Sequence, residues 1–198
     1  MNLLLTGLVI FFTTHFVPVM GNTRQALVGA FGRLAYTALF SLLSLIGIVL
    51  IVYGYAEMQA ERGDYPIFWI APVWMKHIVF LLMLPSFVLL VAAYVPSRIR
   101  DAVRHPMLAA IKIWAFSHLL VNGDLTSIIL FGSFLAYVVI DRISVKRRAA
   151  AGIEARGPLG ARTGGLVGDI TVIGVGLAAY AFMLIVGHQW LIGVALIN

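Results

Sequence analysis

Five histidines stand in a chain that is 62% hydrophobic and only 11% charged, and they are its residues best suited to chemistry. A neutral imidazole tolerates apolar surroundings and still offers a nitrogen lone pair to a metal or to haem iron. His15 lies in FFTTHFVP, between Phe11, Phe12 and Phe16. His118 lies in KIWAFSHLLVNGD, with Trp114 and Asn122 four residues before and after it on one helical face. Each has two readings: a hydrogen bond between helices, or a ligand beside an aromatic pocket. His105 precedes Pro106 in RHPM, where it opens a helix. Thirteen residues separate it from His118, about 220° around a helix, so the two are not expected on one metal. His77, beside Trp69 and Trp74, and His188 in GHQW read as interfacial.

Other polar residues in apolar runs need partners as well. Lys112, in the middle of a run, has three readings: snorkelling, pairing with Asp169, or holding a haem propionate. Asp169 suits the start of a helix. Pro85 should kink its helix and open space beside it. Gly132 and Ala136 suggest a close helix contact. The absence of cysteine excludes disulfides, iron–sulfur clusters, thiolate haem ligands and thiol nucleophiles. No phosphate loop, HExxH or serine–histidine–aspartate pattern is present.

These side chains must be carried by membrane-spanning helices. Mean hydropathy is +1.01, and the polar residues are too few to cover a water-facing globule of this size. The apolar runs are continuous rather than alternating, which selects helices over barrel strands. The expected fold is all-α: one polytopic transmembrane bundle of about six spans forming a single domain over residues 1–198. The runs are Asn2 to Met20, Leu34 to Met58, Pro72 to Val95, Pro106 to Val121, Leu125 to Ile143 and Leu166 to Val186. A basic, glycine-rich linker is expected at residues 146–165. The N-terminal run lacks a basic leader and a small-residue cleavage site, so it reads as a retained helix.

Cations fall in alternate loops. Arg24 and Arg33, then Arg98, Arg100 and Arg104, then Arg142, Lys146, Arg147, Arg148, Arg156 and Arg162 form the basic set. The loops with Glu61, Arg62, Asp64 and Asp124 are poor in cations. Positive loops stay cytoplasmic, so both termini are expected outside, in the periplasm. The formal net charge of +6 then favours anionic lipid headgroups; no basic face with interleaved aromatics points to nucleic acid. His15 would sit about 18 Å into the bilayer, with His118 differing in depth by about 12 Å. Axial ligands on opposite faces of one haem can span that difference, whereas ligands of one small ion cannot.

The N-terminal helix with His15, the segment FSLLSLIGIVLIVYGY (Phe40 to Tyr55), RHPM (Arg104 to Met107) and SHLLVNGD (Ser117 to Asp124) resemble the NnrU family over most of the chain. The resemblance implies a bacterial inner-membrane protein connected with denitrification and nitric oxide. The family is similar to plant 15-cis-zeta-carotene isomerase, a haem b enzyme whose RHP and AH…G segments match His105 and His118 here at the same spacing. By that resemblance a haem b is expected, held by His15 and His118 as metal ligands. His105, Lys112, Trp114 and Asn122 are further candidates for its surroundings. The plant enzyme has a cysteine near the second histidine and this chain does not, so ligand exchange with a thiol does not carry over. The functional expectation is redox-dependent isomerisation of a hydrophobic polyene, or redox chemistry linked to nitric oxide. The rival expectation is a non-enzymatic assembly or regulatory factor for nitrogen-oxide respiration. A small transporter ranks third, since intramembrane charges are few and no repeat relates the halves.

Overall fold

A computed structural model of the chain describes residues 1–61, 64–152 and 164–197. Arg62, Arg156 and Arg162, counted above among the loop cations, lie outside the described residues. The elements are α1 (Asn2–Val19), α2 (Gly21–Phe31), α3 (Arg33–Ala60), β1 (Ile67–Trp69), α4 (Met75–Ala92), α5 (Arg98–Val103), α6 (Pro106–Val121), β2 (Gly123–Asp124), α7 (Leu125–Ala150), α8 (Leu166–Phe182), a five-residue π-helical turn (Met183–Gly187) and α9 (His188–Ile192). The fold is an all-α bundle. Five helical segments are long and apolar enough to cross a membrane, the last running Leu166–Ile192. With 16 residues α6 is shorter, although its bounds coincide with the fourth apolar run. Large apolar side chains point outward along these helices, as in Leu34, Leu81 and Val167. Water would oppose such a surface and hydrocarbon favours it.

Chain contacts divide the protein into two compact units, one of residues 1–68 and 124–133, the other of 69–123 and 134–198. In the first unit α1 packs along α3. Leu4 meets Gly54, Gly7 meets Ile51 and Phe11 meets Gly47. The α3 partner number falls as the α1 number rises, so the two helices run antiparallel. Gly47 and Gly54 are two turns apart and share a face, which lets the backbones approach closely. By contrast, the small-residue spacing of Gly132 and Ala136 makes no such contact, since no atom lies within 4 Å of a Cβ built on Gly132.

In the second unit α4 is flanked by α6 and α8. The Ser86 hydroxyl donates to the Ala110 carbonyl at 2.9 Å, and the Tyr180 hydroxyl donates to the Phe80 carbonyl at 3.1 Å. Gly176 lies against the Val88 backbone. Between α4 and α6 lies a cavity of about 220 Å³ lined by Met83, Ser86, Phe87, Leu90, Ala110, Ile111 and Trp114, with Pro85 itself not in the lining.

Three local expectations change. The stretch carrying Arg24, read as a loop, is the helix α2; Gly32 separates it from α3 at φ 79°, where a glycine has no Cβ to clash. Lys146 to Ala150 continue α7 by nearly one and a half turns instead of opening the linker. Charged residues can extend a helix once it has left the hydrocarbon, which an apolar-run criterion cannot see. Asp169 is held by Arg98, not Lys112. The Arg98 amide donates to its carboxylate at 2.7 Å, and the Arg98 guanidinium pairs with the other oxygen. Lys112 is exposed on α6.

Candidate functional site

The His15 ring is half-buried in the first unit. Its Nδ1 lies 2.8 Å from the Phe11 carbonyl oxygen one turn earlier. A carbonyl only accepts, so a neutral imidazole carries its proton on Nδ1 and its lone pair on Nε2. The ring stacks on Phe11 with centroids 3.9 Å apart and meets Phe40 of α3 at 5.1 Å. The Phe11 backbone and Cβ in turn rest against Gly47, so the α1–α3 interface sets where the imidazole stands.

His118 repeats this arrangement in the second unit. Its Nδ1 lies 2.8 Å from the Trp114 carbonyl oxygen, which again leaves the lone pair on Nε2. The Trp114 ring is 5.3 Å from the imidazole and makes an edge contact with Phe134 at 5.5 Å. Trp114 also lines the cavity between α4 and α6. Asn122 donates from Nδ2 to the His118 carbonyl at 3.0 Å, so it closes the C-terminus of α6, whose last carbonyls lack helical partners. Trp114, His118 and Asn122 therefore come together as their spacing suggested.

His105 and Lys112 do not join them. His105 stands at the opposite end of α6, about 20 Å away by helical rise. Arg104 before it has φ 64°, and the His105 amide donates to the Val103 carbonyl at 2.8 Å. That is a tight three-residue turn with a positive φ, rare for a side chain with a Cβ. Burial lowers the His105 pKa from its ordinary 6.5, and Arg142, Arg104 and Arg148 push the same way against Asp141. Protonation is thus easier in the unfolded chain than in the folded one. Stability is full above about pH 6.5 and falls as pH drops towards the depressed folded value. Melting of the purified protein from about pH 7.5 down to about 5.5 should show this loss, and His105→Gln should flatten it. An unchanged slope in the variant would assign the acid sensitivity elsewhere.

One buried polar group was missed from sequence. Asp124, 1% exposed, had been read only as a loop charge. Its carboxylate accepts from the Ser127 amide and hydroxyl, both at 2.9 Å, and from Gln59 Nε2 of α3 at 3.2 Å. The Ser127 hydroxyl also meets the Tyr55 hydroxyl at 3.2 Å. An Asp three residues before a Ser at a helix start is a capping pattern, and that spacing was the available signal. Among the described residues, no group of three or more His, Asp or Glu is arranged to hold a metal ion.

The family model described as NnrU protein matches residues 3–196. The chain belongs to the NnrU family. That match covers both histidine-bearing helices, the RHPM turn and the Asp124 cap within one NnrU segment. No curated protein and no solved structure matches the chain.

Proposed function

We propose that this NnrU protein binds haem b in the membrane, with His15 and His118 as the iron ligands. The observation that carries this reading is their matched anchoring, Nδ1 to the carbonyl four residues back at 2.8 Å in both cases. Haem-ligating imidazoles need the lone pair on the nitrogen facing iron, and a carbonyl at the other nitrogen fixes the ring and strengthens it as a donor. Each imidazole, taken by itself, is therefore suited to ligate iron. When bound, haem would supply a one-electron iron couple. Phe11 and Phe40 around His15, and Trp114 and Phe134 around His118, exclude water and lower the local dielectric, a lever on such a couple.

The activity we infer is redox-dependent isomerisation of a hydrophobic polyene, with the apolar cavity walled by Trp114 favouring an apolar substrate segment. Nitric oxide chemistry linked to denitrification is the second reading, since small apolar gases enter the same surroundings. The third is a non-enzymatic assembly or regulatory role, supported by basic side chains clustered at one end of the second unit. Their distribution also supports placement in a bacterial inner membrane with both termini periplasmic.

Expression with ample haem, purification and a pyridine haemochrome spectrum test the proposal. The wild type should carry haem b. His15→Ala and His118→Ala should each shift the Soret band or remove most of it, while His77→Ala leaves it unchanged. A colourless wild type, or an identical spectrum in both variants, would sink the reading. Co-purification of a stoichiometric partner with full function in His15→Ala would favour the non-enzymatic role.

A further inference from the structure

We propose that the basic end of the second unit, centred on Arg104 and Arg142, binds the phosphate of an anionic lipid headgroup. The argument begins with charge. Among the described residues, three carboxylates lie at this end and each is already engaged. Asp169 takes Arg98, Asp141 takes Arg148 at 3.7 Å, and Asp101 accepts from the Gly164 amide at 3.0 Å. Arg104, Arg142, Lys146 and Arg147 are left with no carboxylate partner among the described residues. Positive charge in excess of its counter-charge, at the end of apolar helices, sits where lipid phosphates lie.

Backbone strain singles out Arg104 within that excess. At φ 64° it occupies a region where glycine would be more stable by about 1 kcal/mol. A turn needed only to join α5 to α6 would be better served by glycine. An arginine kept there points to use of its guanidinium, since strained positions gather where a side chain must be aimed. Trp114 of α6 meets Phe134 of α7, and eight residues towards the basic end on each of these antiparallel helices bring Pro106 level with Arg142, so Arg104 and Arg142 approach this end from two elements. A guanidinium binds phosphate through two parallel N–H donors, a geometry that suits headgroup recognition over diffuse attraction.

The test uses the full chain in neutral detergent micelles. Short-chain phosphatidylglycerol is titrated in and its retention followed by native mass spectrometry, with phosphatidylcholine and inorganic phosphate as separate arms. Phosphatidylglycerol should be retained and phosphatidylcholine should not. The double variant R104Q/R142Q should bind about 30-fold more weakly, roughly fivefold for each cation near an anionic surface. K146Q/R147Q should bind within about twofold of wild type, because these cations stand outside the Arg104–Arg142 pair; a diffuse field would instead spread the loss over all cations. R104G separates aim from architecture: it should melt no lower than wild type yet lose affinity. Equal loss in K146Q/R147Q, or wild-type affinity in R104G, overturns the proposal. Competition by inorganic phosphate at the lipid's own concentration would make free phosphate the ligand and overturns the lipid assignment.

Discussion

Gly54→Val is expected to prevent recovery of folded protein, while Gly132→Ala, in the same unit, leaves it as stable or slightly more so. A Cβ on Gly54 would collide with the Leu4 amide nitrogen and lie 2.7 Å from the Leu4 Cα. Both are backbone atoms, which cannot rotate away as a side-chain tip would. Even one added methyl in a packed interface costs about 1–3 kcal/mol; Val adds two more carbons against the same wall. The damage spreads along the α1–α3 seam. Leu4 is fully buried, and Phe11, which stacks on His15, rests on Gly47 of the same face. Gly54→Ala, the milder variant, should fold with a lower melting midpoint. At Gly132 a Cβ meets nothing, and exchanging glycine for alanine inside a helix gains about 0.5–1 kcal/mol. Size-exclusion profiles and melting curves in one detergent compare the three. A monodisperse, wild-type-like Gly54→Val would show that the seam is not packed as described.

Asp124→Ala should lower stability by about 2–4 kcal/mol. The substitution removes a helix cap worth about 1 kcal/mol. It also strands the Ser127 amide and the Gln59 side-chain amide, at about 1–3 kcal/mol for a buried donor left unmade. These costs overlap, because Gln59 can turn towards another acceptor, so the lower part of the summed range is expected. Asp124→Asn keeps an acceptor oxygen and caps about as well, so it should recover most of the loss. The pair is measured by denaturant titration in mixed micelles. If Asn and Ala are equally damaging, the carboxylate charge matters rather than its hydrogen bonds. If neither lowers stability, the network around Ser127, Tyr55 and Gln59 is incidental.

Much of this was legible in the sequence because lipid imposes a simple rule. Backbone groups must pair within helices, so long apolar runs become spans, and five runs did. The fourth run was placed to the residue, since Pro106 and Asn122 mark its ends. The grouping of Trp114, His118 and Asn122 followed from helical periodicity alone. Failures came where polar residues outside the hydrocarbon govern structure. Composition did not reveal α2 as a helix or the extension of α7, and a contact was expected at Gly132 that lies instead at Gly7, Gly47 and Gly54.

The amino-acid order by itself determined that this is a helical membrane protein and where its spans lie. Those properties are local, fixed by apolar runs and by residues three or four apart. Only the tertiary structure decided that Arg98 rather than Lys112 takes Asp169, that Asp124 is buried under Gln59, and that α1 and α3 meet through glycines. Each joins residues more than 35 positions apart. Helix periodicity shows which face a residue occupies, but the facing partner depends on how the helices pack.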